Sequence, residues 1–206
     1  MARDRSSIVK MSRREGYALH PKAHKILVRR TALPGQLNTY RKFASRGSQY
    51  SLQLREKQKV KRLYGLLEKQ FSNLMIEATK AKGQSGETLL VYLESRLDNA
   101  IYRSGFATSR RASRQLASHG HFLLNGRRVD IPSIRLKVGD KIELRPHSVN
   151  SGYFKNIDEL SPAPQQIPAW LAVNRKKFSF EVKSIPLRDD AELDIKEQLI
   201  VEYYSR

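Results

Sequence analysis

The chain of 206 residues carries a formal net charge of +19, with 39% apolar and 29% charged side chains, and it contains no cysteine. That length supports one domain of ordinary size and a smaller second one. Zero cysteines exclude disulfides, thiolate metal sites and cysteine nucleophiles, no apolar run approaches the roughly 18 residues of a membrane span, and the N-terminus lacks the apolar core of a secretory signal.

The charge is unevenly placed. Residues 1–62 hold 17 Lys and Arg against Asp4, Glu15 and Glu56, a net of +14, whereas residues 189–206 hold six acids against Lys196 and Arg206, a net of −4. Self-repulsion of this size is relieved by a polyanion. Nucleic acid is the expected partner, because the cations are spread over several elements and no single basic amphipathic helix stands ready for a membrane surface. The expected location is the cytoplasm, with an organellar address left open.

In chain order, residues 1–49 lack a sustained period, contain "LPGQ" and "SRG", and read as a basic extension that orders on its partner; Arg13 and Arg14 are its candidate RNA contacts. From Ser51 the apolar residues recur at steps of three and four, giving two helices, Leu52 to Tyr64 and Leu67 to Ala81, with Gly65 at the bend. Arg55, Lys57, Lys59, Lys61 and Arg62 crowd the first of these away from its apolar stripe, and they repel one another for want of an acid after Glu56. A third helix is expected over Glu87 to Arg103, with Leu89, Leu93, Leu97, Ala100 and Ile101 on one face.

The stretch "SRRASRQLASHGHFLLNGRRV", Ser109 to Val129, holds five arginines and two histidines. Thr108 or Ser109 caps a fourth helix ending near Gly120; Arg110, Arg111 and Arg114 share one face while Ala112 and Leu116 point the other way. Asn125-Gly126 is a strong two-residue hairpin signal, joining a strand with Phe122 and Leu124 to one with Val129, and "VGDKIEL" supplies a further strand. The helix and hairpin are expected to bring Arg110, Arg111, Arg114, Arg127 and Arg128 onto one side, with His119, His121 and Asn125 as added contacts. Arginine suits structured RNA because its planar fork bonds phosphate through two N–H groups and stacks on bases. "SPAPQQIP" then reads as a stiff connector, "WLAVNRKKFSFEV" as a hairpin about Asn174 to Lys177, and "DIKEQLIVEYY" as a short helix that Asp194 and Glu197 enter with capping-box spacing. Too short to stand alone, that helix is expected to dock on the region 51–83.

The expected fold is therefore α+β: a basic extension over 1–49, a helical domain beginning at 50–92, an inserted RNA-binding module of two helices and a small antiparallel sheet over 93–157, and a segment over 158–206 that completes the helical domain. Catalytic signals are thin. Arg96-Leu97-Asp98 resembles the motif around the catalytic aspartate of RNA pseudouridine synthases, but it lies mid-helix and no Thr and Gly follow; it reads as a helix-surface aspartate pairing with Arg96 or Arg103. The five histidines do not converge, and no metal or cofactor is expected. An RNA-modifying enzyme that borrows the module remains the alternative to a non-catalytic RNA binder, disfavoured because only about 60 residues follow the strand of "VGDKIEL".

On these residues a family resemblance rests. "LESRLDNAIYRSGFATSRRASRQLASHGHFLLNGRRV" closely resembles the RNA-binding module named after small-subunit ribosomal protein four, and "SLQLREKQKVKRLYGLLEKQF" resembles the helical region special to that protein. With "PGQ" at Pro34 to Gln36 and the ending "EQLIVEYYSR", the likeness covers nearly the whole chain. It implies a non-catalytic primary binder of 16S ribosomal RNA at a multi-helix junction, a nucleator of small-subunit assembly, a monomer within the ribosome and a neighbour of protein five, with effects on decoding accuracy. Asp189, Asp190, Glu192 and Asp194 would face that basic neighbour. Two departures stand out. Many members carry a four-cysteine metal knuckle, which Ser12 and Ala23 here do not offer, and the His-Gly usual after "PGQ" is Leu37-Asn38.

Overall fold

The computed structural model describes residues 4, 6–30, 32–35, 48–164 and 166–205. Its N-terminal part departs from the expected irregular extension, for it holds α1 (Ile8–Glu15) and α2 (Pro21–Arg29). Both helices are too short for periodicity to flag them, and their termini carry the signal instead. Pro21 stands at the first helical position, and the His20 ring accepts a hydrogen bond from the Lys22 amide at 3.0 Å. Ser12 is buried; its hydroxyl donates to Ile8 O at 2.8 Å and accepts from the Leu19 amide at 3.3 Å, tying α1 to the loop behind it, while Ala23 is packed in the interior. Pro34 and Gly35 form a turn, and the readings placed on Gln36, Leu37, Asn38 and Ser45 to Gly47 fall outside the described residues.

Helices α3 (Gln49–Leu63) and α4 (Glu68–Lys80) follow, separated at Gly65. The expected third helix is two: α5 (Ser85–Glu94) and α6 (Leu97–Arg103). The apolar period runs through the break unchanged, so tertiary bonding makes it. Arg96 is extended and bridges to Arg135, and the amides of Leu97 and Asp98 donate to Ile134 O and Pro132 O at 2.8 and 3.1 Å. Then come α7 (Arg110–Ser118), β1 (Phe122–Leu124), β2 (Arg127–Val129), β3 (Lys141–Leu144), three single-turn helices α8 (Pro146–Val149), α9 (Gly152–Lys155) and α10 (Ile157–Leu160), β4 (Leu171–Asn174), β5 (Ser179–Val182), a 3-10 turn at Arg188–Asp190 and α11 (Glu197–Tyr204).

All five strands of the described residues form one antiparallel sheet in the order β2-β1-β3-β5-β4, which fixes the class as α+β. This corrects the expected module boundary at 157. The β4–β5 hairpin does not belong with the helical part; β5 pairs with β3 in the register Ile142↔Phe180, and Phe180 joins Phe106, Phe122 and Trp170 in one buried core. An apolar strand face needs a cover, and the sheet edge at β3 supplies both backbone partners and core. The chain accordingly divides into one unit of Met1–Leu89 with Glu192–Arg206 and another of Leu90–Ala191, the boundary falling inside α5.

Within the first unit, α11 packs along α3. The Gln53 amide donates to Glu202 at 2.8 Å, the Tyr204 hydroxyl donates to Glu68 at 3.3 Å, and Ile200 is fully buried. The expected capping box does not form: Lys196 is the residue before the helix, and its amide donates to Glu56 of α3 at 2.9 Å. Docking on α3 thus supplies an acceptor that a local Asp194 would otherwise have provided.

Candidate nucleic-acid interface

In the second unit, α7 begins at Ser109, whose hydroxyl accepts from the Ala112 amide at 3.3 Å. Ser113, Leu116 and Ala117 are buried, so the opposite side carries the arginines. Arg111 is exposed, but Arg110 and Arg114 are held from below. Arg110 donates to Asn99 Oδ1 at 2.9 Å and lies 4.7 Å from the Tyr102 ring centroid. Arg114 donates to Asp98, with its Nη2 at 2.7 Å. Asp98 also receives two bonds from Arg96, at 3.0 and 2.9 Å. It is therefore a buried brace at the first turn of α6, which corrects the expectation of a helix-surface aspartate. Arg103 is its neighbour by sequence only, since that side chain donates instead to buried Glu94 at 3.0 and 2.8 Å.

The hairpin turns at Asn125 and Gly126, with φ of 50° and 79°, the conformation that this pair of residues adopts most readily. Asn125 is a holder of the turn. Its Oδ1 accepts from the Lys141 amide at 2.9 Å and its Nδ2 donates to Asp140 at 2.9 Å. Arg127 and Arg128 are both exposed, opposite Leu124 and Leu123 in the pairing. Successive strand residues face opposite sides, so these two guanidiniums diverge and the expected single face of five arginines does not form. His119 is exposed; His121 is half-buried with Nδ1 3.0 Å from Ser148 Oγ. Burial, followed by the charges of His119 and Arg145, holds His121 below the ordinary imidazole range. Arg145 was not among the expected residues; only its position at the end of the β3 alternation could have pointed to it.

In the first unit the expected α3 cations meet acids. Arg55 and Arg62 both donate to Glu15, the former at 3.2 Å, and the Glu15 side chain is fully buried. Burial pushes that carboxyl up against the opposing pull of the two arginines. Lys57 pairs with Glu68 at 2.6 Å and Lys61 pairs with it at 2.7 Å, while Lys59 pairs with Glu56 at 2.7 Å and donates to Asp194 O at 2.7 Å. Lys57 is not on an outer face at all, being 4% exposed with its ammonium 4.4 Å from the Tyr203 ring centroid. The expected mutual repulsion is thus relieved by Glu15 and Glu68 from outside the helix and by Glu56 from within it. Arg13 donates twice to Ala32 O, at 3.1 and 2.7 Å, and Arg14 is exposed.

Asp189 and Asp194 are exposed, whereas Asp190 accepts from the Leu187 amide at 2.7 Å across the 3-10 turn. Glu192 is half-buried. Among the described residues no group of three or more potential ligands stands close enough for a metal ion, and no helix is long and apolar enough to cross a membrane. Ser12 and Ala23 offer hydrogen bonding and packing where a cysteine knuckle would need thiolates, so that metal does not fit these residues.

Fold and charge together define a basic α+β protein with a helix-and-hairpin module suited to an anionic polymer. A family model described as the ribosomal protein S4/S9 N-terminal domain matches residues 3–94, and one described as the S4 domain matches residues 95–142. The chain is 49% identical over 207 aligned residues to small ribosomal subunit protein uS4 of Chlorobium limicola, 46% over 207 to that of Roseiflexus sp. and 46% over 212 to that of Clostridioides difficile, each match covering 100% of both chains. The chain belongs to the uS4 family of small ribosomal subunit proteins.

Proposed function

We propose that this protein is an RNA-binding structural constituent of the small ribosomal subunit that engages 16S ribosomal RNA at a multi-helix junction, nucleates assembly as a single copy and contributes to decoding accuracy on the cytoplasmic ribosome. The observation that carries the reading is the supported guanidinium set of the second unit: Arg111, Arg127 and Arg128 are exposed, and Arg110 and Arg114 are pre-oriented by Asn99 and Asp98. Guanidiniums held in place lose less conformational freedom on meeting phosphate.

The test is the salt dependence of 16S binding. Each phosphate contact contributes a slope of roughly −0.7 to −0.9 in log K against log salt. Replacing Arg111, Arg127 and Arg128 by Ala together should lower the slope by about 2 and leave circular dichroism unchanged. An unaltered slope excludes these residues as phosphate contacts.

The acidic segment supports a protein neighbour. Asp189, Asp190, Glu192 and Asp194 repel phosphate, and we take their partner to be the basic ribosomal protein five. Reversing Asp189 and Asp194 to Lys should spare 16S affinity, weaken the contact with protein five and raise miscoding in a reporter. Collapse of 16S affinity, or parental miscoding in normally assembled subunits, would remove that assignment.

A further inference from the structure

The exit of α7 gathers cations that, unlike those of α3, meet no acid. Gly120 has φ of 69°, and a Cβ built there would lie 2.8 Å from Arg128 Nε and 3.1 Å from its Nη2. Only a glycine lets that guanidinium lie against the backbone. From β3, Arg145 donates to Gly120 O at 3.1 Å, and its amide donates to His121 O at 2.9 Å. His119 is exposed with its ring 6.0 Å from that of His121. Among the described residues neither Arg128 nor Arg145 forms an ion pair with a carboxylate.

The surroundings of His121 complete the arrangement. Ser148 of α8 is buried and holds Nδ1, Phe154 of α9 presents its ring at 5.8 Å, and the charged or titratable groups facing the imidazole are His119 and Arg145. With Nδ1 engaged, the other ring nitrogen is the one left for a ligand. Two guanidiniums and two imidazoles converging without an acid form a receptor for a tetrahedral anion.

We propose that Arg128, Arg145, His119 and His121 form a phosphate site that takes one phosphodiester of the ribosomal RNA backbone, and that seating it draws one proton from solvent onto His121. The proposal rests on the RNA-binding reading above. In the free protein, burial first and then the neighbours His119 and Arg145 hold the His121 imidazole below its ordinary range, which favours the neutral ring. A phosphate brings the opposite charge, favours the imidazolium and gives it a second N–H to donate. Protons are then taken up on binding, so affinity rises as pH falls and levels off once His121 is protonated in the free protein.

Two measurements on the full-length chain test this. The first is 16S affinity at constant ionic strength between pH 7.5 and 5.5 in a His119→Gln background, which should rise about three- to tenfold and stay flat once His121→Gln is added. A pH dependence that survives in the double variant overturns the proposal. The second needs no variant: sulfate, a non-titrating stand-in for the phosphodiester, should raise the midpoint of the His121 ring resonance relative to chloride at equal ionic strength. A resonance that ignores sulfate overturns the site. Absence of native 16S binding at every pH overturns the RNA reading itself, and the sulfate titration then decides separately whether the anion site exists.

Discussion

Helices α3 and α7 are both rich in cations, yet they treat them oppositely. On α3, Arg55, Lys57, Lys59, Lys61 and Arg62 all close ion pairs with Glu15, Glu56 or Glu68. Around α7, carboxylates lie beneath the arginines: Asp98 steadies Arg114, Glu94 steadies Arg103, and Arg111 and Arg128 project outward. The same residue types thus serve cohesion in one unit and presentation in the other. Local cation density does not separate the two roles; the position of the acids does.

The sharpest way to break this contrast is at Asp98. Asp98→Ala strands Arg96 and Arg114, of which Arg96 is buried, and removing one partner of a buried pair costs about 3 to 5 kcal/mol. A denaturant titration of the full chain should show that loss, and an unchanged midpoint would mean that Asp98 braces nothing.

Replacing Arg55 and Arg62 together by Ala leaves the buried Glu15 carboxylate without its cations, and should cost about 2 to 3 kcal/mol while moving the salt slope of 16S binding by less than one phosphate contact. A slope that falls by nearly two would return these arginines to the RNA surface.

The smallest effect is a pH response. Burial alone would raise Glu68, but hydrogen bonds from Lys57 and Lys61 outweigh it and leave the carboxyl below the ordinary glutamate value. The unfolded chain therefore protonates at the ordinary value and the folded chain only below it. The stabilisation is complete above the ordinary value and is lost as pH falls through the lowered one. Thermal midpoints of the native chain and Glu68→Gln should differ at neutral pH and converge in acid. A constant gap would show that the Glu68 charge contributes nothing.

Features set by neighbouring residues were legible in the sequence. Asn125-Gly126 marks the hairpin, Gly65 separates α3 from α4, and the apolar side of α7 follows from Ala112 and Leu116. What escaped was set across distance. The break before α6 depends on carbonyls of Pro132 and Ile134, which no period encodes. The place of β5 beside β3 depends on Phe180 finding the core. Four of the five α3 cations pair with acids outside their own helix, Glu15 lying 47 residues from Arg62 and Glu68 in α4, and only Lys59 uses Glu56 of α3. Which charges stay available is therefore a property of the fold, and residue counting along one helix overstates them.

The nested arrangement of the chain also orders its birth. Every strand of the sheet is translated before α11, so the sheet of the second unit has all its parts while α3 still lacks its partner. Gln53 meets Glu202 only after 149 further residues have been made. The first unit, begun earliest, is thus completed last, and for that interval the face of α3 that α11 covers stands open on the nascent chain. A chaperone that reads exposed aliphatic surface would find its target there, and would lose it when Ile200 docks.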